Sequence, residues 1–113
     1  MLTLSATTPI YLYRGAVDLR KSFDGLSGLV RAGMAVDPLS GALFVFCNRR
    51  RTMVKLLYWD VDGWVIFHKR LERGTFWLPS PASADARIDR RSLSMLLEGV
   101  TPGRWHRRYS RTA

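Results

Sequence analysis

The sequence predicts an α+β fold: a mostly antiparallel sheet of four to five short strands with two packed helices. Three observations lead there. Several short segments rich in β-branched and aromatic residues are separated by turn residues, as strands are. Two other stretches repeat apolar residues at three- and four-residue steps, the period of one helix face. At 113 residues the chain has about the size of one domain, so strands and helices must share a core. Residues 1–113 are therefore read as a single domain, with 103–113 as a basic C-terminal tail.

The first strand is "IYLYR", Ile10 to Arg14, aromatic throughout and β-branched at its start. Asp18 then stands as a helix cap ahead of Leu19, Phe23, Leu26, Val30 and Met34, which keep the helical spacing. Gly25, Gly28 and Gly33 lie in that helix and each costs about 1 kcal/mol relative to Ala. Close approach of the helix to a sheet is the expected reason for them. "DPLSG", Asp37 to Gly41, turns the chain into "ALFVFCN", a buried strand in which Cys47 is expected to be inert. Asn48 to Arg51 is a polar, tri-arginine link to the next strand.

"MVKLLYWDVDGWVIFHKRL", Met53 to Leu71, is a hairpin that turns at "DVDG". A three-residue loop ending at Gly63 sets Trp59 opposite Val65 and Lys55 opposite Lys69. A two-residue Asp62-Gly63 turn sets Lys55 against Arg70 instead. Either register makes two cations cross-strand neighbours, which is unfavourable unless water or a bound phosphate screens them. "TFWLP", Thr75 to Pro79, reads as a last short strand and "SPASADA" as a loop. Asp89 caps the second helix, where Leu93, Leu96, Leu97 and Val100 hold the spacing before Gly99 and "TPG" end it.

Charge narrows the function classes. Eighteen Lys and Arg stand against nine Asp and Glu, a net +9, and fifteen of the cations are Arg. A surplus of that size is solvated or matched by a polyanion, and the arginine fork suits phosphate and base stacking. Three clusters interleave cations with aromatics: Arg49, Arg50 and Arg51 in the link; Lys55, Lys69, Arg70 and Arg73 around the hairpin base; and Arg104, Trp105, Arg107, Arg108 and Arg111 in the tail. One cysteine and two histidines exclude a disulfide framework and a zinc finger. No glycine-rich loop ends in Lys-Ser or Lys-Thr, and no Ser, His and Asp arrangement is recognisable. The start carries no signal-peptide pattern and no apolar run reaches the ~20 residues that span a bilayer. A cytoplasmic protein without catalytic residues, cofactor, metal or membrane contact is expected.

"RKSFDGLSGLV", "DPLSGALFVFCNRRR", "KLLYWDVDG" and "HKRLERGTFWLP", in this order and spacing, resemble the accessory protein from the second reading frame of insertion-sequence-sixty-six transposons. The likeness runs from about Pro9 to Trp105 and includes "LLEGV" and the following "RW". It is not a likeness to the RNA-guided nuclease that shares the TnpB label. The resemblance implies a bacterial mobile-element protein working beside a separate, larger transposase that carries the cleavage chemistry. Matching positions include Arg20, Lys21, Arg49, Arg50, Lys55, Trp59, Asp60, Gly63, Lys69, Arg70, Glu72 and Gly74. His68 stands where many of that family carry Tyr, which argues against an essential imidazole.

The expected function is a non-catalytic accessory factor of transposition that binds DNA through the basic and aromatic clusters. Two rivals remain at this point. An adapter would bind the transposase, through Trp105 and the tail, without touching DNA. A metal-dependent nuclease would assemble Asp60, Asp62 and Glu72 around ions on a scissile phosphate. Oligomeric state is open.

Overall fold

Leu43–Cys47 forms β2, and all five of its residues are buried. That burial follows from position, because β2 lies at the centre of a five-stranded sheet. The sheet belongs to a computed structural model that describes residues 5–80, 85–101 and 104–105. On one side of β2 runs β1 (Ile10–Leu12), parallel to it, with α1 (Phe23–Gly33) in the crossover between them. On the other side β3 (Met53–Asp60) pairs antiparallel and leads through a tight turn into β4 (Gly63–Arg70). A two-residue β5 (Arg87–Ile88) closes the far edge, antiparallel to β1, so the order is β4-β3-β2-β1-β5. α2 (Arg90–Glu98) and a small ladder of β6 (Val100–Thr101) with β7 (Arg104–Trp105) complete the described chain. The expected α+β class and mostly antiparallel sheet are found.

The helices cover opposite faces of the sheet. Side chains alternate along each strand, so Phe44, Phe46 and Leu57 meet Leu26 and Val30 of α1 on one face. Leu43, Val45, Val54 and Leu56 meet Leu93 and Leu96 of α2 on the other. Stacking of Tyr11 on Phe44 and of Tyr13 against Phe46, with ring centroids 5.8 and 5.4 Å apart, tightens the α1 face. α2 is bounded as its sequence suggests. Asp89 accepts from the Ser92 amide at its start, and Gly99 ends it at φ 85°, where a side chain would be strained. Val100, expected in this helix, follows that glycine into β6.

Four expectations are corrected. Asp18 does not cap α1; its carboxylate holds the Arg20 amide and guanidinium instead, and the helix starts at Phe23 after a turn. The glycines of α1 do not serve close packing on the sheet. A Cβ on Gly28 would meet nothing within 4 Å, and one on Gly25 would meet Lys21; only at Gly33 is a sheet-side ring, Tyr13, near. Thr75–Pro79 is not a strand: Phe76 is buried, but its amide donates to the Arg51 carbonyl at 2.7 Å and joins no ladder.

The hairpin register is the fourth. Asp60 pairs with Gly63 and Trp59 with Trp64, one step from the three-residue loop and two from the Asp62-Gly63 turn. Gly63 is therefore the first residue of β4. Val61 takes the positive φ of 54° and the Asp62 amide donates back to the Asp60 carbonyl, a γ-turn. Edge-to-face packing of Trp59 and Trp64 at 5.1 Å accompanies this register. Its electrical consequence is direct: Lys55 faces His68, and no two lysines or arginines sit opposite each other across the β3 and β4 ladder.

Candidate nucleic-acid interface

The tri-arginine link is a built turn. Asn48 sits at its start, and its side chain fills the inside. Its Oδ1 accepts from the amides of Thr52 and Met53 at 2.9 and 3.0 Å, while Nδ2 donates to Thr52 Oγ1 at 3.0 Å. The Arg51 amide donates to the Asn48 carbonyl at 3.1 Å, and Arg51 adopts a left-handed φ of 57°. With the interior occupied, Arg49, Arg50 and Arg51 all point to solvent and are exposed. A second clamp lies outside: Leu71 donates to the Thr52 carbonyl and Phe76 to the Arg51 carbonyl. The segment between them carries exposed Arg73 and is thereby held against the turn.

Adjoining clefts extend from this turn. One of about 470 Å³ is lined by Arg14, Asn48, Arg49, Arg51 and Ser80 among others. Another, of about 420 Å³, shares Asn48 and Arg49 with it and adds Arg20 and Arg50. A third, of about 500 Å³, shares Pro79 and Ser80 with the first but lies toward the start of β1, beside Thr8 and Ile10, and carries Arg87 of β5 and Arg90 of α2 away from the turn. Parallel β1 and β2 both end at the turn, which is why Arg14, just past β1, joins Arg49, just past β2. Arg14, Arg49, Arg50 and Arg51, distant in sequence, thus form one basic margin at that end of the sheet.

Carboxylates offset part of it. Asp18 and Arg20 pair at 2.6 Å, and that hydrogen-bonded guanidinium holds the Asp18 carboxyl down at about 2. Arg70 and Glu72 pair at 3.1 Å, both exposed, a type of pair worth ~0–1 kcal/mol. Among the described residues Arg49, Arg50, Arg51 and Arg73 have no carboxylate partner. The two hairpin lysines turn away from this margin. Lys55 is buried, and its Nζ donates to the Lys21 carbonyl at 2.8 Å, tying the start of α1 to β3. Lys69 reaches to the opposite face and donates to the Leu97 carbonyl at 2.8 Å, where the last turn of a helix favours a cation. Desolvation and the nearby Lys55 and Arg70 charges push the His68 pKa below its ordinary value. Burial pushes the Cys47 thiol up to about 11, so it is inert as expected.

The acidic triad does not assemble. Asp60 and Asp62 bracket the turn at one end of β4, while Glu72 follows its other end, a strand length of about 23 Å away. Among the described residues no three His, Cys, Asp or Glu could hold a metal ion. No described helix is long and apolar enough to cross a membrane. Of the tail, Arg104 and Trp105 contribute backbone to β7; Arg107, Arg108 and Arg111 lie outside the described residues.

Comparison with known proteins gives this geometry its context. The family model described as IS66 Orf2 like protein matches residues 8–107. The chain belongs to that family. Its relatives include two uncharacterized proteins of Sinorhizobium fredii: y4hO, 34% identical over 100 residues, 88% of this chain and 87% of the relative, and y4jC, 32% identical over 84 residues, 74% and 72%. No solved structure matches. Membership in the IS66 Orf2-like family supports an accessory role in insertion-sequence transposition.

Basic segments of this chain that look alike on paper divide here into two jobs. "NRRR" is a surface turn, whereas Lys55 and Lys69 fasten the helices to the sheet. Sequence reasoning placed Asn48 in the link but missed its clamping side chain, and it missed Arg14. An Asn opening a turn is a readable signal; Arg14 is brought in by β1 running parallel to β2, which only the topology reveals.

Proposed function

We propose that this protein is a non-catalytic accessory factor of insertion-sequence transposition that binds DNA phosphates through Arg49, Arg50, Arg51, Arg73 and Arg14. The observation that carries the reading is the Asn48-clamped turn, whose fixed backbone roots three guanidinium groups without carboxylate partners among the described residues beside further arginines. A turn backbone fixed before binding leaves only side-chain freedom to lose on contact with a phosphate. Lys55 and Lys69 are left out because their amines are engaged by the protein's own carbonyls. Arg70 is a lesser contributor while Glu72 accompanies it. Arg104, Trp105, Arg107 and Arg108 extend the proposed contact if the tail reaches DNA. The protein would act in the cytoplasm beside the transposase of its own element, which supplies the chemistry. Nothing in the margin resembles a helix seated in a groove, so affinity for backbone exceeds sequence preference.

The test is equilibrium binding of purified protein to duplex and single-stranded DNA at low salt, with and without replacement of all three link arginines by Ala. Binding that weakens in the triple variant at unchanged melting temperature supports the reading. Wild-type protein that binds no DNA yet co-purifies with the transposase would make it an adapter instead. Magnesium-dependent cleavage of labelled DNA that vanishes in Asp62→Ala would make it an enzyme.

A further inference from the structure

Among the described strands nothing pairs with the outer edge of β4, and the chemistry of that edge selects a partner. β4 ends the sheet, pairing with β3 alone among the described strands. All eight of its residues pair with β3 in one unbroken register, without proline or bulge. Native edges are usually blunted by such devices. Instead Trp64, Val65, Ile66 and Phe67 make an apolar run along it, with Phe67 exposed.

Backbone parity limits how another strand can add. The Leu71 amide points inward to the Thr52 carbonyl, so odd-numbered β4 residues direct their polar groups to β3. Even-numbered residues, Trp64, Ile66, His68 and Arg70, direct theirs outward. Charge along the edge is polarised too. Asp60 and Asp62 lie at the tip of the hairpin, with Lys69, Arg70 and Arg73 at its base, where Glu72 offsets one of the three positive charges by pairing with Arg70. A parallel neighbour would set like charges together; an antiparallel copy sets acid against base.

We infer that two copies of this chain pair antiparallel through β4, with Ile66 on the two-fold axis. In this register outward-facing Trp64 meets His68 of the second copy, Arg70 meets Asp62, and Phe67 lies across from Val65. The pairings within β4 obey the parity above, while Arg70 meets Asp62 through side chains alone because the Asp62 amide donates to Asp60; the interface is self-complementary as a two-fold requires. Ten strands become one continuous sheet. The two Arg70 residues then lie eight strand positions apart, about 27 Å along the strands, so the arginine margins sit at opposite ends of the dimer. Nothing in this inference depends on DNA binding.

Sedimentation of the full-length protein without DNA tests it. A dimer is expected. Asp62→Arg and Arg70→Asp should each weaken it by about tenfold through like-charge apposition, and the double exchange should restore it. Oxidation of Ile66→Cys should trap a covalent dimer, since directly opposed residues of an outward hydrogen-bonded pair have Cα atoms about 5.5 Å apart. His68→Cys should not, because its neighbour is Trp64; Cys47 is buried and does not compete. A monomer at micromolar concentration overturns the inference, as does a dimer insensitive to both charge reversals. Protection of β4 amides only when the transposase is added would assign the edge to that protein and likewise overturn it.

Discussion

Asn48 shows how one side chain can set the shape of a charged surface. Its three hydrogen bonds close the β2–β3 turn from inside, and without them like charges at Arg49, Arg50 and Arg51 would drive the turn open. Asn48→Ala should lower stability by ~1–2 kcal/mol, since half-buried amides lose their partner; urea denaturation measures it. His68 offers a second test. Its folded pKa lies below its unfolded value because partial desolvation of this exposed ring and two neighbouring cations disfavour the imidazolium. The unfolded chain therefore binds more protons as pH falls through the ordinary histidine value of 6.5, and stability falls with it. His68→Tyr should flatten the melting temperature across that range, and an unchanged slope would place the titration elsewhere. At this scale the sequence made Arg49 to Arg51 and the inert Cys47 legible. It did not reveal what the lysines touch, because a Lys tip reaches a backbone carbonyl that no sequence pattern marks.

Among the elements, α1 yields the cleanest expectation. Gly28 lies mid-helix with open space where a Cβ would go, so Gly28→Ala should stabilise the protein by ~0.5–1 kcal/mol. A loss in denaturant midpoint would reveal a contact not evident in this packing. Lys55→Ala should do the reverse, costing ~1–3 kcal/mol by freeing the Lys21 carbonyl and opening a gap over β3, while leaving DNA affinity nearly unchanged. The long elements were legible in advance: the buried β2 run, the Leu26 and Val30 face of α1, the Leu93 and Leu96 face of α2 and the paired strands of the hairpin follow from periodicity, whereas Phe23 is exposed and Leu19, Met34 and Val100 fall outside the helices. What escaped was set by tertiary contact. Trp59 against Trp64 accompanies a register that turn chemistry alone misplaced, Arg51 and Phe76 bond outside any ladder, and two-residue β5 exists only because β1 offers it an edge.

Over the whole molecule, topology decides which charges act together. Parallel β1 and β2 end on the same side, the β2–β3 turn projects there, and the segment after β4 is fastened to it; arginines spread through the sequence thus share one margin. The excess of Arg over acid was plain from composition, but its collection at one end of the sheet was not. The decisive measurement is the dependence of DNA affinity on salt for the wild type and for the triple Ala variant at Arg49, Arg50 and Arg51. Each phosphate contact adds about 0.9 to the slope of log affinity against log salt on duplex DNA, so the variant's slope should be shallower by up to ~2.7 at an unchanged melting temperature. Equal slopes and equal affinities in the two proteins would contradict the account.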